Sequence, residues 1–289
     1  MAMLLALALA AQPAPARPQE VLFIGNSFTF GATSAVLRYR ANTVDDRNGD
    51  GIGGVPALFK LFADQLNIPV IVALETSPGK SLQWHFQNKQ TQIDGLWDQV
   101  VLQEYSTLDP EKPGDVARSI DFAGRLARLI RARSPDAKIS ITSNWTRPDL
   151  TVPAGQPWSG QPMTRMALDL RRQIDRVVRS HPQIGKVNPV GEAFNCAIAA
   201  GVADANPYDG IDAGKVDLWG YDHYHAGTPG YYLSALVIFA GVTGADPRRL
   251  GDRETAANDL GLNPAVATKL QTIAWQMVHG GGCKPEAVR

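Results

Sequence analysis

Val21-Leu-Phe-Ile-Gly-Asn-Ser-Phe-Thr29 decides the reading of this chain. Val21 to Gly25 is an apolar run too short for a helix and unbroken by polar residues, which is the pattern of a strand covered on both faces. Gly25 supplies the freedom for a sharp turn. Ser27 then falls just past the carboxyl end of the strand, where open α/β sheets bind their ligands.

Four further short runs extend this pattern: Pro69 to Thr76, Gln99 to Gln103, Lys138 to Thr142 and, more weakly because of Asn188 and Pro189, Lys186 to Val190. Helical periodicity fills the intervals, over Val55 to Leu66, Ser81 to Asn88, Asp115 to Arg133 and Thr164 to Ser180. An apolar helix after Thr228, which can cap it ahead of Pro229, and another over Pro264 to His279 complete the series. Strands alternating with helices predict a three-layer α/β/α domain around a parallel sheet of about five strands. Thr146 to Gln161, rich in Pro and Gly, reads as a long surface loop.

The chain has 289 residues, 28 Lys+Arg against 28 Asp+Glu and 44% hydrophobic content, an ordinary globular composition. The balanced charge provides no overall attraction to nucleic acid. Residues 1–16 begin with the apolar Met1 to Ala11 and end in small residues and prolines, the pattern of a signal peptide. Eleven apolar residues are too few to span a bilayer, which needs about 20, so stable membrane insertion is not expected. The expected organisation is a signal peptide over 1–16 and one domain over 17–289 with a C-terminal helical extension, in a periplasmic or secreted protein. In that compartment Cys196 and Cys283 can pair or stay as two buried thiols. Neither belongs to a Cys/His cluster, and no metal is expected there.

Asp46-Arg-Asn-Gly-Asp-Gly51 has the opening of a calcium loop, but its twelfth position is Ala57 in place of the bidentate carboxylate, and Asp46 to Gly54 reads equally as a Gly/Asn-rich loop.

Tyr221-Asp-His-Tyr-His-Ala-Gly227 places an Asp and a His three residues apart just before the last apolar run. A serine hydroxyl needs an imidazole to take its proton and a carboxylate to orient that imidazole. Asp222 and His225 supply both. His85 and His223, close in sequence to these elements, are candidates for binding substrate but read first as packing or surface residues.

Gly25-Asn-Ser27 after the first strand together with Asp222-x-x-His225 resembles the SGNH (GDSL-like) hydrolases, a family of serine esterases with a flavodoxin-like sheet. The likeness runs from about Val21 to Gly244 and is nearest to a bacterial subgroup with Ile-Gly-Asn-Ser-Phe-Thr starts and Leu-Gln-Glu blocks. The resemblance implies Ser27 as nucleophile, His225 as general base and Asp222 as its orienter. It also implies an oxyanion hole formed by the Ser27 N–H and the N–H of Gly79, in Glu75-Thr-Ser-Pro-Gly-Lys-Ser81. The third block departs from the family, with Val101-Leu-Gln-Glu-Tyr-Ser106 where Gly-x-Asn-Asp is usual. Gln103, and after it Asn144, are the candidates for the third oxyanion donor. Glu104 is a candidate for orienting a neighbour, and the equal alternative for both Gln103 and Glu104 is a structural role, bonding loop backbone.

The expected activity is hydrolysis of an acyl ester, plausibly acetyl, on a small molecule or carbohydrate, with no cofactor. Trp84, Trp145 and Trp158, near strand ends, are candidates for stacking on sugar rings. A lipase or thioesterase with the same triad, and a catalytically silent glycan-binding or cell-envelope protein, are the alternatives.

Overall fold

The structure, a computed structural model, describes residues 17–288. The signal-peptide expectation falls on residues 1–16, outside the described residues. Six parallel strands form one sheet in the order β2-β3-β1-β4-β5-β6. They are β1 (Gln19–Gly25), β2 (Asp45–Asp46), β3 (Val70–Thr76), β4 (Gln99–Leu102), β5 (Lys138–Thr142) and β6 (Ile184–Asn188). The helices, in chain order, are α1 (Ser27–Phe30), α2 (Gly54–Gln65), α3 (Leu82–Asn88), α4 (Gln90–Ile93), α5 (Ala117–Arg133), α6 (Arg165–Ser180), α7 (Val190–Ala199), α8 (Thr228–Thr243), α9 (Thr255–Asp259) and α10 (Pro264–His279). Among the described residues, no helix is long and apolar enough to cross a membrane.

The alternation of strand side chains explains why the strands are apolar throughout. Val21 and Phe23 of β1 pack with α2, α7, α8 and α10 on one face. Leu22 and Ile24 pack with α3, α5 and α6 on the other. The result is the expected three-layer sandwich, with one strand more than the five expected. The sixth is β2, two aspartates paired with Ala73 and Leu74 on the edge of β3. It is held by backbone pairing and contributes no apolar side chain, so periodicity cannot reveal it.

α6 buries one stripe, Met166, Ala167, Leu170, Ile174 and Val177, and turns its arginines outward. α8 is different: every residue from Gly230 to Val242 is buried, as expected of a helix that is apolar all round. It runs through the centre of its layer, flanked by α2, α7 and α10. Gly230 lets its first turn press against β-bridged backbone: a Cβ there would lie 2.2 Å from the carbonyl oxygen of Leu218. Gly227 is the capping residue, so the helix starts one position before Pro229.

The last predicted strand is displaced. β6 ends at Asn188, and Pro189, with no N–H to give the ladder, caps α7 instead.

Asp46 and Asn48 do not form a ligand shell. The Asp46 carboxylate accepts from the N–H of Asn48 (3.1 Å) and of Ile52 (3.0 Å). The Asn48 amide donates to the Thr76 carbonyl and accepts from Lys89 Nζ at 2.7 Å. The loop therefore ties the edge strand to β3 and to the end of α3.

Cys196, on α7, and Cys283, beyond α10, form a disulfide across 87 residues of sequence, tying the chain end to the helical layer. A cross-link over a loop of this length removes much unfolded-state entropy. Cys283→Ser should lower the free energy of unfolding by about 2–4 kcal/mol in non-reducing urea titrations. An unchanged midpoint would show that the tail is not held through this bond.

Candidate active site

β1 lies between β3 and β4, so its carboxyl end opens onto the loops that follow both neighbours. The turn after it is sharp. A Cβ on Gly25 would approach Thr29 Oγ1 to 2.3 Å and Gln103 Oε1 to 2.8 Å, so this position requires close backbone approach and excludes a side chain. Asn26 then caps the single turn α1, its Oδ1 accepting from the Phe28 N–H at 3.2 Å. Ser27 is the first residue of that turn, where helix geometry gives its N–H no partner. Its side chain makes no hydrogen bond to a described residue, and its oxygen is not among the sealed, unpaired polar atoms. The Tyr231 hydroxyl, on α8, donates to the Ser27 carbonyl (3.0 Å) and lies 3.2 Å from that of Ala32, pinning the turn from below.

Asp222 and His225 form a short contact. His225 Nδ1 lies 2.6 Å from Asp222 Oδ2, while Asp222 Oδ1 accepts from the N–H groups of Tyr224 (3.1 Å) and His225 (2.9 Å). Burial works to raise the Asp222 pKa, but these bonds to the ionised form outweigh it and hold the carboxyl below its ordinary value. The carboxylate therefore stays charged and fixes Nδ1 as the donor edge, leaving Nε2 facing away from it. His223, between them, takes a left-handed conformation with φ 53°.

Aromatic packing brings this loop to the Ser27 turn. The Phe28 ring stacks on Trp145 at 3.9 Å and meets His225 edge-on at 6.0 Å. Trp145 Nε1 donates to the Tyr224 carbonyl at 3.2 Å. The structure thus places Ser27, Asp222 and His225 around one strand end. No hydrogen bond joins the Ser27 hydroxyl to His225; the imidazole's side-chain partner is Asp222.

The three residues suggested for an oxyanion hole fare differently. Gly79 lies in an exposed turn with φ 64°. That turn is docked beside β1 by Ser77 N–H donating to the Gly25 carbonyl (3.0 Å) and by Asn26 Nδ2 donating to the Lys80 carbonyl (2.9 Å).

Gln103 does not present its amide to the site. Its Oε1 accepts from the Asn26 N–H (3.0 Å) and from Thr29 Oγ1 (3.1 Å), and its Nε2 donates to the Glu104 carbonyl. It is a buried support under the turn. Asn144 is likewise committed, its Nδ2 directed at the carbonyls of Glu104 (3.4 Å), Tyr105 (3.2 Å) and Ser106 (3.5 Å). The expectation of a side-chain oxyanion donor is therefore corrected at both positions, and for Gln103 the alternative reading, a structural role bonding loop backbone, is the one the contacts match.

Glu104 orients its neighbours, accepting from the Leu82 N–H (3.0 Å) and the Tyr105 N–H (2.6 Å). It joins the second and third blocks. His85 is fully buried with Nδ1 2.5 Å from Glu75 Oε2, in the core behind the Gly79 turn. Trp145 and Trp158 are buried, which removes them as sugar platforms; Trp84 is the one of the three that keeps exposed surface.

Sequence reasoning missed Arg147. Its guanidinium lies 3.6 Å from the Tyr224 ring centroid, and Tyr224 in turn stacks on His225 at 4.1 Å. Asp149 holds the guanidinium through Nε (3.1 Å) and Nη2 (2.6 Å), and Ser106 Oγ accepts from Nη1 (3.0 Å). The cation fixes the outer face of the histidine stack. It sits in the segment read as a surface loop, with no motif to mark it.

Among the described residues, no group of three or more His, Cys, Asp or Glu is placed to hold a metal ion. What Asp222 and His225 offer is acid–base chemistry from an oriented imidazole.

The fold is that of the SGNH hydrolases. No family model matches the chain, and no curated protein matches it. Solved structures do. A DUF4886 family protein from Bacteroides uniformis is 18% identical, with a TM-score of 0.66 over 93% of this chain and 98% of that one. A putative SGNH hydrolase from Slackia heliotrinireducens is 20% identical, with a TM-score of 0.50 over 77% and 98%. A family 3 carbohydrate esterase from Clostridium thermocellum is 13% identical, with a TM-score of 0.52 over 81% and 99%. At these identities the likeness is one of fold.

Burial pushes the Glu104 carboxyl from an ordinary 4.5 up to about 7, against the Tyr105 and Leu82 N–H bonds that favour its charge. Folding thus retains a proton that the unfolded chain has released between those values. Its contribution to stability is complete below pH 4.5 and is lost as the pH rises toward 7. Glu104→Gln keeps an acceptor for both N–H groups and removes the ionisation. Relative to wild type, it should gain up to about 3 kcal/mol of stability between pH 4.5 and pH 8, read by urea unfolding at both values. A difference that does not change with pH would refute this assignment.

Proposed function

We propose that the chain is an exported serine esterase that hydrolyses a short acyl ester, acetyl above all, on a carbohydrate. The observation that carries this reading is the Asp222–His225 contact of 2.6 Å, set by aromatic packing against the Ser27 turn. An oriented imidazole in a loop packed against the turn that carries a serine is the minimum equipment for acyl transfer. A hydrolase fold shared with SGNH and carbohydrate-esterase neighbours supports the same class.

In the first half-reaction His225 Nε2 takes the Ser27 proton as the oxygen attacks the ester carbonyl. Collapse of the tetrahedral intermediate breaks the bond to the alcohol, which leaves with that proton. In the second, His225 takes a proton from water, the hydroxide attacks the acyl-enzyme, and the acid departs as Ser27 is reprotonated. The intermediate's negative charge is met by backbone N–H groups, that of Ser27 and that of Gly79. With Gln103 and Asn144 committed elsewhere, the hole has two donors. Residues 1–16, with their signal-peptide pattern, support export.

The test is p-nitrophenyl acetate hydrolysis by wild type, Ser27→Ala, His225→Ala and Asp222→Asn. Removing either of the first two side chains should cost about 10³-fold or more in kcat. Asp222→Asn should also lose activity, since the amide cannot hold the required tautomer. Turnover that survives Ser27→Ala would refute the esterase reading, as would a wild type with no turnover at all.

A further inference from the structure

Beside the Gly79 turn lies an open groove of about 220 Å³, room for one ring rather than a drug-sized ligand. Its walls include Lys80, Gln83, Trp84, Gln87 and Tyr105, and no acidic side chain lines it. The Lys80 ammonium stands 5.5 Å from the Trp84 ring centroid. Lysine ion pairs among the described residues are Lys60 with Asp64 and Lys215 with Asp212, so Lys80 has none. The contrast with Lys89 is informative. That lysine also flanks Trp84, at 5.8 Å, but its ammonium is bound to Asn48 Oδ1. Three carboxylates adjoin the wall in sequence: Glu104 is buried and spends its oxygen on the Leu82 and Tyr105 N–H groups, while Asp109 and Glu111, on either side of the lining Pro110, are both paired with Arg118 (3.2 and 3.3 Å).

The groove is coupled to the candidate nucleophile by backbone. Asn26, next to Ser27, donates to the Lys80 carbonyl at 2.9 Å, and Gly79, the proposed oxyanion donor, lines the groove, so the groove wall and the reacting turn share one stretch of backbone. The groove thus offers one cation without an ion pair, two amides and two aromatic rings on a wall that includes Gly79. Amides suit sugar hydroxyls, aromatic faces suit the apolar side of a pyranose, and a single ammonium matches a single negative charge.

We propose that this groove takes a sugar ring bearing one carboxylate, so that the substrate is an acylated uronate-type glycan and Lys80 selects the acid. The inference rests on the esterase reading and specifies its alcohol side. Lys80 neutralises the carboxylate while Trp84 and Tyr105 flank the ring.

Calorimetric titration of the wild-type protein with trigalacturonate and with xylotriose tests it, since neither is an ester and neither needs turnover. Trigalacturonate should bind about two- to fivefold tighter, as expected of one partly exposed charge pair. Lys80→Gln should abolish that preference and Lys80→Arg should retain it, while added salt should narrow it in the wild type. Equal affinities, a preference that survives Lys80→Gln, or binding of neither sugar would overturn the proposal. Failure of the esterase reading is seen separately, as absence of Ser27-dependent p-nitrophenyl acetate turnover.

Discussion

The Phe28 ring, stacked on Trp145 and set edge-on to His225, is the contact on which the rest of the site depends. These residues come from three distant parts of the chain: the turn after β1, the loop after β5 and the loop before α8. Trp145 continues the stack onto Phe194 of α7 at 5.1 Å, so the site is anchored in the helical layer below. Offset and edge-on aromatic pairs contribute roughly 0.5–1.5 kcal/mol each beyond the area they bury. Their geometry matters more here than their strength, because it sets one loop against another.

A second constraint is polar. Asn26, Gln103, Glu104 and Asn144 are buried, and each turns its side chain to the backbone of a neighbouring block. The network holds backbone from several blocks but is not complete: Asn144 Oδ1 is buried without a partner, and an unpaired buried polar atom costs about 1–3 kcal/mol. The Gln103-Glu104 block has its structural reason in this turn. Gln103 uses its oxygen to hold the Asn26 N–H and its nitrogen to hold a carbonyl, so the block builds the turn from beneath.

Much of the fold was legible because buried parallel strands must be apolar on both faces. Val21 to Gly25 and Lys138 to Thr142 stand out for that reason, as does Pro264 to His279 by its helical period. β2 was illegible because two edge aspartates carry no apolar signal, and α7 because Pro189 looked like the tail of a strand when it is the head of a helix. In the site, Ser27 and the Asp222-x-x-His225 spacing could be found because they are local in sequence. Arg147 could not: its role comes from lying over Tyr224, 77 positions away in the chain, and nothing near it in sequence marks that. The Gln103 amide was visible, but the direction in which it points is a property of the folded turn.

The central claim is that the hydroxyl on the first turn after β1 is activated by the imidazole before α8. Labelling the folded protein with a fluorophosphonate and mapping the modified peptide tests it most directly. The adduct should sit on Ser27 and should be strongly reduced in His225→Ala, whose serine lacks its base. An adduct on another residue, or labelling of Ser27 at an equal rate without His225, would contradict the account.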